Sequence, residues 1–382
     1  MSLTVMVSFG VILYGFSIFV TAGAAGEEFS KTVLSAAYGG SVIAGGLLAV
    51  PLGVRADRVG VRGIIATGGL LAACGMLLFG RATASWHVLV AWWLLIGPAG
   101  AMTFYEIGFI AVDQWYGPRR RPRALGMLTL IGGLAGIIFI PLTEWLVDVL
   151  GWRDTAVALG ALVLVVAGST AGIGMRAVPR PSPAAPTHRL STRLVGDPRF
   201  VVYTVAMALT FLAAQGLLAH RVAVFEDAQF DVGTVALWAA ASSALSLPGR
   251  WFAPVLATHF RAADVQAAGV IGLGVGTLLM LDASASWQLA GHFLLFGLAF
   301  GAVLPLRPMT MAGWFSGERY GATMGSQWMV TTLVGSLGPF LVGLLRDTTG
   351  GYGPAVIFLM AALFGGAVLM VAATRLPGQG AR

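Results

Sequence analysis

Long apolar runs, broken by short polar stretches, fill this 382-residue chain almost from end to end. At helical rise, about 20 mostly apolar residues cross the hydrocarbon of a bilayer. Taken on that measure, the pattern predicts twelve spanning helices: 2–24, 34–54, 63–80, 87–112, 124–146, 155–175, 200–219, 232–256, 264–281, 287–311, 321–345 and 352–374. The connections are too short to hold a soluble domain, and the longest polar break runs from Arg176 to Pro198.

Composition agrees. Hydrophobic residues make up 57% of the chain and charged residues 10%, and mean hydropathy is +0.85. A soluble fold cannot hide that much apolar surface, so lipid is the expected solvent. The 53 glycines suit helices that approach closely with no hydrophobic drive to associate.

A net charge of +7 could point to nucleic acid, but its distribution gives it another meaning. With the N-terminus inside, sixteen of the 23 basic residues fall on cytoplasmic loops and ends, and five fall outside: Lys31, Arg81, Arg153, Arg221 and Arg346. The remaining two, Arg250 and Arg307, lie within spans. This is the positive-inside bias, and it predicts a multi-pass membrane protein with both termini cytoplasmic; no nucleic-acid partner is expected. Ala22–Gly26 faintly resembles a signal-peptidase site, but no basic segment precedes it, so 2–24 reads as a retained helix. Arginine outnumbers lysine 22 to 1, the usage of a GC-rich bacterial genome. The single Cys74 rules out an intrachain disulfide and reads as a small buried apolar residue.

The chain repeats itself at an offset near 200 residues. Pro51–Arg58 is echoed by Phe252–His259, Arg123–Gly126 by Tyr320–Gly325, and Gly151–Val157 by Gly351–Val356. A six-plus-six repeat predicts an N-terminal bundle over 1–175, a Pro- and Arg-rich cytoplasmic tether over 176–199, and a C-terminal bundle over 200–382. Two such bundles can rock about a central site, giving each side of the membrane access in turn.

Those residues resemble the major facilitator superfamily over the whole chain. Gly53-Val-Arg-Ala-Asp-Arg-Val-Gly-Val-Arg62 is similar to the family's loop between helices 2 and 3, with Arg55 in place of the usual Leu. The resemblance implies an all-α membrane protein with twelve transmembrane helices in two six-helix bundles related by pseudo-two-fold symmetry. It also implies that Asp57, Arg58 and Arg62 gate the cavity by latching helix ends, or else serve only to set topology. Within the superfamily the chain is most similar to the bacterial monocarboxylate-porter and oxalate–formate-like branch. Four stretches carry this: Tyr14–Phe19 with Glu27–Phe29, Asp113–Tyr116 with Arg119–Gly126, Gly151-Trp-Arg153, and Leu247-Pro-Gly-Arg250. Two departures matter. Ala22 and Ser246 stand where animal-type relatives carry a helix 1 lysine and a helix 8 aspartate, so that pair's proton relay cannot be transferred. The Gly-Pro signature of drug–proton antiporters is also missing after Gly132–Gly136.

A charge inside the membrane costs about 2.5–3.5 kcal/mol on insertion scales, so each must face a cavity or a partner. Arg250 lies roughly 12 Å from the cytoplasmic end of helix 8. Its fork matches a carboxylate in bidentate geometry, which makes it the candidate anchor of an anionic substrate; a structural charge is the alternative. Glu106 and Arg307 are 201 residues apart, at corresponding depths of helices 4 and 10. They are candidates for a gate or proton-responsive pair, or each is bonded within its own bundle. His292 is a possible proton relay or a packing residue. Glu144 sits near the outer interface. Tyr14, Tyr105 and Tyr203 fall on helices 1, 4 and 7, where phenols orient a carboxylate or simply pack. Trp86, Trp115, Trp152, Trp287 and Trp314 read as interfacial anchors.

No Gly-rich Lys-Ser/Thr nucleotide loop, nucleophile triad or His/Glu metal cluster is present in the sequence, so no cofactor, no metal and no enzyme activity are expected. The expected function is secondary transport of a small organic anion, a monocarboxylate, by alternating access. An inside-negative potential opposes anion uptake, so import requires a co-transported proton or an exchanged anion. The competing functions are export of a hydrophobic or drug-like compound, and a non-transporting receptor or assembly factor, for which buried charges have no evident use. A monomer is expected.

Overall fold

The computed structural model describes residues 1–21, 24–174, 196–315 and 320–376, and all of its regular structure is helical. Ten helices are long and apolar enough to cross a membrane. One of them, Arg121–Gly174, has 54 residues and is two spans: Gly151 breaks it at φ 76°, ψ 161°, a left-handed backbone that only glycine adopts without strain. The shorter Ala262–Leu278 supplies the twelfth. In chain order the spans are α1 (Ser2–Val20), α2 (Lys31–Val59), α3 (Arg62–Gly80), α4 (Ser85–Trp115), α5 (121–150), α6 (151–174), α7 (Pro198–Asp227), α8 (Val232–Leu256), α9 (Ala262–Leu278), α10 (Ser286–Phe315), α11 (Tyr320–Thr349) and α12 (Gly353–Arg375). The proposed tether falls on residues of which 176–195 lie outside the described part, as does Ala22.

The described residues form two compact units, one of 1–174 with 320–329 and the other of 196–315 with 330–376. The core of the first is aromatic. Trp92 is fully buried among Phe16 (ring centroids 4.5 Å apart) and Phe79 (5.7 Å), and Phe79 in turn meets Phe19 (5.5 Å) and Trp152 (5.3 Å). Such pairs add to the area they bury by about 0.5–1.5 kcal/mol each. Trp152 therefore belongs to the core, not to the interface, whereas Trp86 and Trp287 are exposed. Beside it Arg153 donates to the carbonyls of Gly80 (3.1 Å) and Ala82 (2.8 Å) and pairs with Glu28, which also accepts from Trp152 Nε1. The Gly-Trp-Arg stretch thus ties the start of α6 to the end of α3 and to the connection after α1.

Two helices of this unit are irregular. A π-turn spans Gly10–Tyr14 of α1. In α4 a π-turn over Ala91–Ile96 is followed by a break at Phe104, where the backbone turns extended (φ −81°, ψ −171°) and a fresh helix starts at Tyr105. Cys74 is exposed on α3, not buried. A single small residue carries no signal of which helix face it occupies.

In the second unit α8 and α10 make the closest helix pair. An added Cβ at Gly297 would lie 2.5 Å from the Ser242 carbonyl oxygen, and one at Gly301 2.1 Å from that of Ser246. The repeat reappears here as packing: in the first unit an added Cβ at Gly97 would lie 2.6 Å from the Ser41 carbonyl oxygen, between α4 and α2. Helix caps repeat as well. Ser30 accepts from Val33 N–H to open α2, and Asp231 accepts from Thr234 N–H to open α8. Arg199 and Arg261 donate to the carbonyls of Leu376 and Thr374 at the end of α12, satisfying orphan acceptors where positive charge is favoured.

Candidate functional site

Most of the buried charges among the described residues lie in the second unit: Asp197, Arg221, Arg250 and Arg307, against Asp57 in the first. Arg250 follows Gly249 on α8, where an added Cβ would lie 2.2 Å from the Leu298 carbonyl oxygen, so α10 holds this segment closely. Arg250 is 9% exposed. Pro254, one turn on, has no N–H to return to the Arg250 carbonyl, and Pro248 precedes it by two residues, so the helix is locally loosened around the arginine. Ser242, Ser246 and Arg250 recur at four-residue spacing along one edge of α8, all buried.

Arg307 is fully buried on α10, two residues past Pro305. Near it runs a polar network that sequence reasoning missed: Tyr203 hydroxyl donates to Gln266 Oε1 (2.8 Å), Thr310 donates to the same oxygen (3.0 Å), and Gln266 Nε2 reaches Met207 Sδ (3.3 Å). Tyr203 is fully buried and its edge meets Trp314 at 5.3 Å. Its phenol is thus bonded within the bundle, which favours the packing alternative left open for it. The fixed α9 glutamine could not be foreseen, because a lone Gln in an apolar run has no periodic signature.

His292 is fully buried; its Nδ1 lies 2.9 Å from the Gly276 carbonyl and its ring among Phe225, Phe293 and Phe296. Arg221 shares those walls. It is not on a loop as the sequence suggested, since α7 continues to Asp227 and buries it. The apolar Val222–Phe225 run beyond it was the available signal, outweighed by the charge of His220-Arg221.

In the first unit, α5 supplies glycine seats for two of the tyrosines. An added Cβ at Gly132 would lie 2.4 Å from the Tyr105 hydroxyl, and one at Gly136 3.0 Å from the Tyr14 ring. Tyr105 is buried against Phe9 and Phe109, and Tyr14 is half-buried. Glu106 is half-buried in the first turn of the helix that restarts after Phe104, a position whose helix dipole favours a carboxylate.

Asp57 is buried at the end of α2, and its oxygens accept the backbone N–H groups of Gly321 (2.7 Å) and Ala322 (2.8 Å). These are orphan donors of the first turn of α11, so the carboxylate caps α11 from another helix. Glycines make the approach possible: an added Cβ at Gly53 would lie 2.1 Å from the Gly321 carbonyl oxygen, and one at Gly325 2.2 Å from that of Ala49. Arg58 and Arg62 are exposed and have no ion-pair partner among the described residues. Close by, Asp113 pairs with Arg121 at 2.5 Å and Gln114 donates to the Ala56 carbonyl at 3.0 Å, so the two halves of the Asp113–Arg123 stretch brace α4, α5 and α2. No group of His, Cys, Asp and Glu with metal-holding geometry occurs among the described residues.

The Major Facilitator Superfamily profile matches residues 3–265. The chain belongs to the major facilitator superfamily. It is accordingly a multi-pass membrane transporter and not an enzyme. Monocarboxylate transporter 13 of Rattus norvegicus is 30% identical over 333 residues, covering 84% of this chain and 75% of that one. Monocarboxylate transporter 11 of Homo sapiens is 27% identical over 359 residues, covering 87% and 73%. Among solved structures the superfamily transporter FucP, the fucose:proton symporter of E. coli, superposes with a TM-score of 0.77 at 14% identity, over 97% of both chains. That likeness carries the major facilitator fold alone.

Proposed function

We propose that this transporter carries a small organic anion, a monocarboxylate, by alternating access, with either proton symport or anion exchange offsetting the membrane potential. One observation carries the reading: a guanidinium buried at mid-helix in α8, at Arg250, in a chain whose relatives are monocarboxylate transporters. A guanidinium in such a place suits an anionic ligand, because its planar fork binds a carboxylate through two parallel hydrogen bonds. Tyr14 and Tyr105 complete the proposed binding set.

Coupling is assigned to Glu106 and Arg307. Each lies two residues past a weak point of its helix, the Phe104 break in α4 and Pro305 in α10, where a small rearrangement can move a charge between surroundings. Asp57 serves as a latch on the first turn of α11, with Arg58 and Arg62 as cytoplasmic charge. Both termini lie in the cytoplasm, from the positive-inside bias.

The test is uptake of radiolabelled formate, lactate, pyruvate and oxalate into proteoliposomes under an imposed pH gradient. Wild type accumulates at least one of them, and Arg250→Gln and Arg250→Lys lose uptake while eluting as folded protein. Undiminished uptake by Arg250→Gln removes the reading and leaves export of a hydrophobic compound as its replacement.

A further inference from the structure

We propose that Arg221 forms a second carboxylate-binding station, from which the anion passes along Ser242 and Ser246 to Arg250. The inference rests on the monocarboxylate reading above and deepens it.

Arg221 is 7% exposed, yet among the described residues it has no ion-pair partner. Its one side-chain hydrogen bond goes to Ser242 Oγ at 3.2 Å. Its guanidinium otherwise lies over Phe296 (4.5 Å) and Phe293 (5.1 Å). Aromatic faces hold a cation in place without neutralising it, and one hydroxyl leaves most of its five N–H donors unspent. A guanidinium buried in a span needs a partner or a cavity, and a visiting carboxylate supplies the partner.

The repeat argues against a purely structural charge. At the corresponding place in the first unit, 200 residues earlier, Trp92 stands where His292 stands in the second. Gly97 packs on Ser41 there as Gly297 packs on Ser242 here. Trp92 is walled by Phe16, Tyr38 and Phe79, and among the described residues no arginine lies over its ring. This corner of a bundle therefore packs well without a cation.

His292 does not make the carboxylate contact. A carbonyl only accepts, so in the neutral ring Nδ1 carries the proton toward Gly276, and Nε2 presents a lone pair. That nitrogen has no partner among the described residues; it suits water or a proton-bearing group rather than a bare anion. The carboxylate falls to Arg221 and the Ser242 hydroxyl.

Geometry connects this station to Arg250. Arg221 lies six residues before the connection from α7 to α8, and Arg250 six before the connection from α8 to α9, so the two guanidinia sit toward opposite ends of the unit. Between them Ser242, Ser246 and Arg250 follow one edge of α8 over about 12 Å. With the termini cytoplasmic, Arg221 is the outer station.

The experiment measures formate binding to full-length protein in detergent by proton saturation-transfer NMR. Formate is chosen because the smallest carboxylate makes no demand on pocket shape. Wild type, Arg221→Gln, Arg250→Gln and the double variant are compared. Each single variant is expected to weaken binding by roughly tenfold while keeping a measurable signal, and the double to lose it. Arg250→Gln protein that binds no more formate than the double, or Arg221→Gln protein that binds like wild type, overturns the station. So does complete displacement from Arg250→Gln protein by equimolar chloride, which makes the site one for inorganic anions. If Arg221→Gln does not fold, as judged by loss of its thermal transition, Arg221→Lys in the Arg250→Gln background carries the test; retained formate signal supports the station and a lost one overturns it. Failure of the underlying reading is distinguishable, because it appears as undiminished transport by Arg250→Gln, whereas failure of this inference appears as absent binding in that variant.

Discussion

Trp92 and His292 occupy matching places 200 residues apart, and the difference between them sets the two units apart. The rings against Trp92 are those of Phe16, Tyr38 and Phe79, while around His292 the same glycine-on-serine approach encloses an imidazole and a guanidinium. The pattern extends outward. Asp57 and the half-buried Glu106 are held at helix starts and ends in the first unit. Arg221, Arg250, His292 and Arg307 are buried well inside helices in the second, six or more residues from the ends. One duplicated scaffold has thus been filled in two ways: one half gives rigidity and clasps, the other a row of cationic groups.

The largest expected effect tests whether the scaffold itself is shared. Gly97→Val and Gly297→Val each drive a side chain into a backbone carbonyl about 2.5 Å away. Both should lose nearly all folded yield, to the same extent, as read by monodisperse elution. A variant at one site that expresses normally shows that the two crossings are not equivalent. Next comes exchange of the filling. Trp92→His removes the largest fully buried side chain of the chain and leaves a cavity and an unpaired imidazole, at a cost of about 3 kcal/mol. Thermal inactivation in detergent should move to clearly lower temperature; an unchanged midpoint means the aromatic core is not what holds the first unit.

The smallest effect separates the caps. Ser30 opens α2 and Asp231 opens α8, but only the second titrates. The Thr234 N–H and hydroxyl hold the Asp231 carboxyl below its usual value, so its contribution is full above the ordinary aspartate range and fades as pH falls through the lowered value. Asp231→Ser should therefore lower the melting temperature slightly at neutral pH and flatten the acid side of the stability profile, measured as melting temperature against pH. Ser30→Ala should shift the profile evenly.

Twelve spans, their order and the internal repeat were legible because length, apolarity and charge asymmetry are properties of single segments. The errors fall where a segment's fate depends on another. The predicted span 200–219 stops short of Arg221 because a charge reads as a boundary until the aromatic wall of Phe293 and Phe296 on α10 is known to receive it. Tyr203 reads as a cavity residue because nothing in its neighbourhood announces Gln266, 63 positions on. Asp57 grips a helix end, and its partners are main-chain amides 264 and 265 positions away, which leave no trace in a sequence. Arg58 and Arg62 share its motif yet stay in solvent.

That choice of partner governs how the α2–α11 joint can change over time. An acid that grips two peptide N–H groups depends on no partner side chain, so a change of charge on α11 that adds no bulk at the contact leaves its donors in place. Bulk can unfasten it, since any methyl at Gly53 or Gly321 wedges the two backbones apart. The clasp is therefore insensitive to electrostatic drift and vulnerable to size alone.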